Sequence, residues 1–189
     1  LERCDFTLSY VQFGNKSKLT LYRLSDFYTL FYFRYVENNR SRDDQYWQHH
    51  FMDRNVESWE GFSFEEICLR HLPHIKQRLG ISGMATEASA WRFVPPKGDE
   101  RKGTQIDLVI KRADKLIHLV EMKFSDGPYL ISKDYEERLK MRRNLFMEMT
   151  GIRRGAVMTF VTPAGVSQGI HSSIIHSQLT ARDLFAELI

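Results

Sequence analysis

Two apolar runs near the middle of the chain carry charges where the interior of a sheet tolerates none. They are Gln105-Ile106-Asp107-Leu108-Val109-Ile110 and Leu119-Val120-Glu121-Met122-Lys123-Phe124. A carboxylate in such a run is costly unless a cation or a hydrogen-bond donor meets it. Between the runs, Ala113-Asp114-Lys115 suits a three-residue hairpin loop. That loop sets Arg112 against Leu116 and Asp107 against Glu121, with β-carbons roughly 5 Å apart on one face. Two carboxylates so opposed repel, and a divalent cation between them removes the penalty. Carboxylate oxygens are the hard ligands that Mg²⁺ and Mn²⁺ prefer. Lys123, two residues past Glu121, shares its face. It can orient or deprotonate an attacking water, or neutralise charge developing on a phosphate. With one metal, these side chains suffice for phosphodiester hydrolysis. The competing reading is a solvated surface, with Glu121 paired to Lys123 across water and Asp107 facing solvent.

The flanking pattern predicts a mixed α/β fold. Residues 6–13 and 18–23 alternate apolar and polar, with Gly14-Asn15 as the turn of a β-hairpin. Ser25 or Asp26 caps an aromatic helix running to about Glu37, whose many rings call for burial against another domain. After a polar loop, a short helix over Tyr46–Met52 is expected, and Trp59-Glu60-Gly61 marks a boundary. Ser63 is expected to cap the next helix, with Glu66 completing a capping box. Pro73 is expected to kink that helix and Gly80 to close it. Strands follow over Thr86–Val94, Thr104–Lys111 and Leu116–Phe124, then a helix from Asp134 to about Met149. Ala156–Val161 reads as a buried strand and Ile174–Gln178 as another. Thr180 caps a last helix with Leu184 and Leu188 inward. The order from residue 61 is α-β-β-β-α-β-(β)-α. Trp91, on the first of these strands, reads as core rather than a base-stacking platform.

The chain has 189 residues, 42 % hydrophobic and 27 % charged, as globular domains are. Its two cysteines, Cys4 and Cys68, form no CxxC and suit free thiols in a reducing cytoplasm. No apolar stretch approaches the roughly 20 residues of a membrane helix, and no signal peptide is expected. A chain that begins without Met, in mid-element, suggests a fragment of a longer protein. The net charge of +3 says little alone. Residues 133–154, with seven basic residues against four acidic, carry much of it. His71 and His74 are spaced as a ligand pair could be, but lack a third ligand nearby.

Asp107 on a second strand and Glu121-Met122-Lys123 on a third resemble the PD-(D/E)XK nuclease superfamily, whose core is α-β-β-β-α-β. The resemblance covers about residues 57–189 and implies a restriction-endonuclease-like domain. It assigns the metal to Asp107, Glu121 and the Met122 carbonyl. Glu65, in Gly61-Phe62-Ser63-Phe64-Glu65, matches the helix acid that often joins such sites; Glu66 is its rival. Asp107 follows Ile106 rather than Pro, a departure the superfamily tolerates. Tyr22-Arg23-Leu24-Ser25-Asp26-Phe27-Tyr28, Phe31-Tyr32 and Trp59-Glu60-Gly61-Phe62-Ser63-Phe64-Glu65-Glu66 also resemble the C-terminal region of prokaryotic AAA-type ATPases that end in a nuclease-like domain of unknown function. That implies residues 1–24 as the wing hairpin of a partial winged helix, 25–56 as linker helices and 57–189 as the nuclease-like domain.

The resulting expectation is an Mg²⁺- or Mn²⁺-dependent DNA phosphodiesterase with Asp107, Glu121, Lys123 and Glu65 at its centre. An upstream ATPase domain is the implied partner. The chain lacks GxxxxGK[ST], so ATP would bind only through that upstream part. The alternative is a catalytically silent module that docks the ATPase onto DNA or a protein. A third option places function in residues 1–55 as a winged helix, whose first helices are absent.

Overall fold

A computed structural model describes residues 2–4, 6–14, 20–37, 43–50, 54–153 and 155–189. The chain opens with a 3₁₀ turn, Glu2–Cys4, and the antiparallel hairpin β1 (Thr7–Val11) and β2 (Thr20–Leu24). Gly14 takes a left-handed φ of 80° at the start of the connection, as a turn glycine does; Asn15 lies outside the described residues. Helix α1 (Phe27–Phe31) is capped by Asp26, which accepts from the Thr29 amide at 2.7 Å. It continues as a π-helical turn, Tyr32–Val36. The expected burial of its rings is partial. Tyr35 is buried against Trp59 and Phe31, while Tyr28 and Phe33 are exposed. Helix α2 spans Tyr46–His50, and residues 51–53 of the expected helix lie outside the described part.

Helix α3 runs unbroken from Arg54 to Arg70, so it begins well before the expected Ser63 cap and carries Trp59-Glu60-Gly61 inside it. Ser63 is therefore mid-helix, its hydroxyl buried without a partner among the described residues, and Glu66 belongs to no capping box. Tertiary packing of Val56, Phe64 and Cys68 outweighs the helix-weakening glycine. Pro73 does not kink this helix. It sits in the first turn of a new one, α4 (Leu72–Arg78), where its missing N–H costs nothing. Gly80, with φ of 69°, follows the end of α4 as expected.

Strands β3 (Thr86–Phe93), β4 (Thr104–Arg112), β5 (Ile117–Met122), β6 (Ala156–Val161) and β7 (Ile175–Leu179) form one sheet in that spatial order. β4 runs antiparallel to both β3 and β5, and β5, β6 and β7 are parallel. Parallel pairing of β5 and β6 requires a crossover, supplied by α5 (Lys133–Thr150). Ser132 caps α5 by accepting from the Tyr135 amide at 3.2 Å, and Gly151 follows it in the left-handed region. A 3₁₀ turn, Ile170–Ile174, leads into β7. The short α6 (Ala181–Leu184) is held by Thr180 and Asp183 as a capping box. Leu184 is buried, but α6 ends there and Leu188 is exposed rather than inward.

Each face of the sheet has its own core. Leu139 and Phe146 of α5 cover Ile106, Val109, Ile117, Leu119 and Phe160. Trp91 is part of this core, packed edge-on against Phe146. Phe64, Cys68, Ile75 and Leu184 cover Leu108, Ile110, Val120 and Met122 on the other side. The architecture from α3 onward is α-α-β-β-β-α-β-β-α, a mixed α/β fold with helices on both faces.

Candidate active site

The β4–β5 register is the one the loop dictates. Arg112 donates its amide to the Leu116 carbonyl at 2.9 Å, and Lys115 takes a positive φ of 71° to close the three-residue turn. Leu108 faces Val120, and that pair ends the ladder, so Asp107 and Glu121 stand one step past the last partners. On its other side β4 departs from regularity. Ser89 pairs with Val109 but Trp91 with Ile106, so Ala90 alone spans Asp107 and Leu108. Such a bulge re-aims the side chains it carries. It explains why Ile106 and Val109, three residues apart, serve the same core.

Glu121 is 6 % exposed, which excludes the solvated-surface reading for it. Its Oε1 accepts from the Tyr135 hydroxyl at 2.6 Å and lies 3.1 Å from Lys123 Nζ. Its Oε2 pairs with Arg142 Nη1. Arg142 Nε is buried without a hydrogen-bond partner among the described residues. Lys123 lies just beyond β5, its amide still donating to the Val161 carbonyl at 3.0 Å. Burial, then the charge and hydrogen bond of Glu121, hold the Tyr135 hydroxyl far above its usual range, so it stays a donor.

Glu65, on α3, and Asp107 complete an acidic group. Burial first, then the charges of Asp107 and Glu121, push the Glu65 carboxyl up to about 7, against the pull of Lys123 and Arg23. Burial and the Glu121 charge likewise raise Asp107, with Lys123, Arg23 and Arg142 opposing. Gln105 donates to Asp107 Oδ1 at 3.3 Å. Among the described residues no three His, Cys, Asp or Glu side chains converge as a ready metal cage. Glu66, the rival acid, is wholly buried on the hairpin side of α3, with Arg23 Nε 2.7 Å from its Oε1. That contact is an ion pair without an aligned hydrogen bond. Glu66 thus ties the β1–β2 hairpin to α3, and Glu65 alone of the two shares the field of Asp107 and Glu121.

Tyr135 and Arg142 escaped the sequence reading. The signal was their spacing: with Leu139 and Phe146 they fall on one α5 stripe, and an arginine in an otherwise inward stripe has a buried partner. His71 and His74 do meet, Nδ1 to Nδ1 at 3.3 Å, beside Phe185 rather than near the acids.

Fold and site define a mixed α/β protein with a partly buried acidic group at the end of its central hairpin. The chain belongs to the DUF234 family, described as archaea bacterial proteins of unknown function, whose profile matches residues 32–139. That span contains Glu65, Asp107, Glu121, Lys123 and Tyr135. No curated protein matches the chain. Among solved structures, a protein of unknown function, AF1548, is 16 % identical, with a TM-score of 0.34, over 59 % of this chain and 56 % of that one. The chain thus spans little more than half of that protein's length. Among the described residues no helix is long and apolar enough to cross a membrane.

Proposed function

We propose that the chain is a restriction-endonuclease-like, metal-dependent phosphodiesterase acting on DNA. One observation carries the reading: Glu65, Asp107 and Glu121 repel one another at the end of the β4–β5 ladder, and the chain's own cations only partly relieve them. Buried structural carboxylates are normally paired to neutrality, whereas clustered acids with raised proton affinity mark sites built for a cation or a proton. The order α-β-β-β-α-β, with Asp107 from the second strand and Glu121-x-Lys123 from the third, supports the same class.

The donor set fits Mg²⁺ or Mn²⁺ in its chemistry, since every candidate ligand is a hard oxygen. Asp107, Glu121 and the Met122 carbonyl would hold the ion, with Glu65 taking a second ion or a metal-bound water. When bound, the metal supplies an acidified water and a polarised phosphodiester. The remaining work falls to side chains. Tyr135 and Arg142 fix both oxygens of Glu121. Lys123 places its ammonium beside Glu121, where it can meet the charge of a scissile phosphate. Glu65, titrating near neutrality, can hold or accept a proton at its carboxylate. Resemblance to ATPase C-terminal regions adds an upstream ATPase as the partner that delivers DNA in the cytoplasm.

A second reading rests on a specific contact. Both oxygens of Glu121 are already engaged, and no cage is preformed among the described residues. A silent module docking its ATPase onto DNA or protein would have such a site. Cleavage of linear, circular and single-stranded DNA with Mn²⁺ separates the two, with Asp107→Ala and Lys123→Ala alongside. Cleavage that both substitutions abolish is the expected result. Intact DNA together with no calorimetric Mn²⁺ binding would establish the docking module instead.

A further inference from the structure

The β1–β2 hairpin leans on the edge of the sheet. The Phe13 amide donates to the Ala90 carbonyl at 2.6 Å, and the Gln12 side-chain amide donates to the Arg92 carbonyl at 3.1 Å. Between hairpin, α3–α4 and the β3–β4 pair lies a cleft of about 480 Å³, and Asp107 lines it. This is the volume of a site for one small organic group, far too small to take in a double helix.

The lining has two characters. Leu8, Leu69 and Leu72 make an apolar wall, while Ser89, Gln105 and Asp107 are polar. The Tyr10 ring lies in the same lining with the Arg23 guanidinium 5.9 Å from its centroid. Ser89 is among the lining residues, and its hydroxyl is buried without a hydrogen-bond partner among the described residues. Such a group carries a desolvation penalty that a ligand's polar edge would remove. A flat group with apolar faces and a hydrogen-bonding rim matches this lining, and a nucleobase has that chemistry. Arg92, also in the lining, is the cation available to an attached phosphate, while Arg23 is paired with Glu66.

We propose that this cleft receives an unpaired nucleotide of a polynucleotide strand, its base between hairpin and sheet and its phosphate at the Asp107 end. The site then acts on single-stranded rather than duplex nucleic acid, and the hairpin is part of the substrate channel. The inference rests on the reading of Asp107 as part of a phosphodiesterase site. It adds the selection of an unpaired strand, made by Tyr10 and Ser89 outside the acidic group.

The test is fluorescence anisotropy of the full chain in EDTA, where no cleavage occurs. The probes are a labelled oligothymidine, an oligouridine and a blunt duplex of equal length. The expected result is single strands bound at least about tenfold tighter than the duplex. Tyr10→Ala should weaken strand binding about tenfold, one stacked base being worth about that factor, while Tyr10→Phe retains it. Tyr28→Ala, an exposed ring not among the cleft's lining residues, should change nothing. Oligouridine bound as tightly as oligothymidine would extend the proposal to RNA. Equal or tighter duplex binding would overturn it, as would unaltered strand binding by a folded Tyr10→Ala. Strand binding without any Mn²⁺-dependent cleavage would keep the cleft and sink the enzyme; Mn²⁺-dependent cleavage of duplex alone would do the reverse.

Discussion

Strand β5 buries two ionisable side chains three residues apart, and they illustrate opposite uses of burial. His118 is 2 % exposed, with Nδ1 2.9 Å from the Thr159 hydroxyl and Nε2 3.4 Å from Arg112 Nη1. Burial, then the charges of Arg112 and His176, drives it down to about 4, so it is neutral and satisfied at physiological pH. Arg112 is in turn neutralised by Asp114. At the other end Glu121 stays in a group whose acids Glu65 and Asp107 are left in mutual conflict. The first cluster resolves its charges within the fold; the second keeps a surplus. A buried titratable group is thus no signal by itself, and unrelieved repulsion is.

The largest expected effect breaks the Glu121 end. Arg142→Ala leaves a buried carboxylate without its guanidinium and should cost about 3–5 kcal/mol in urea unfolding. A loss under about 1 kcal/mol would mean that Lys123 and Tyr135 alone neutralise Glu121. At the other end Thr159→Val should cost about 1–3 kcal/mol, because His118 loses one partner. Adding His118→Leu should return part of that loss, since the unpaired ring nitrogen goes with it.

The smallest effect sharpens the contrast through pH. Between 4.5 and 7 Glu65 binds more protons folded than unfolded, so its contribution to stability falls as pH rises, and its cost is complete above 7. His118 has the opposite sign: between 6.5 and 4 the unfolded chain takes up the proton, so stability falls as pH drops. Glu65→Gln should stabilise the protein above pH 7 and match the parent below 4.5. Urea midpoints across pH 4–8 check this, and an unchanged alkaline limb would remove the conflict assigned to Glu65.

Much of this was legible because local rules and packing agree. The apolar runs and Ala113-Asp114-Lys115 specify the β4–β5 register, and Gly80 specifies a helix end. The bulge at Asp107 was not legible, because β3 imposes it and no residue of β4 announces it. The start of α3 was hidden by Gly61 and by Ser63, whose capping chemistry is outweighed by burial of Val56 and Phe64. Glu65 was separated from Glu66 only by a partner on a distant hairpin, Arg23. The role of Arg142 required knowing which face of α5 meets the sheet.

The contact of Gln12 and Phe13 with Ala90 and Arg92 also bears on how the protein stays apart from its neighbours. β3 is an outer strand, and unpaired backbone groups on an outer strand invite another chain to add to the sheet. The hairpin side occupies part of that rim through Gln12 and Phe13 and is tied to α3 through Arg23 and Glu66. Gln12 and Phe13 therefore cover part of the edge against edge-to-edge association, and a chain lacking them would offer a sticky strand.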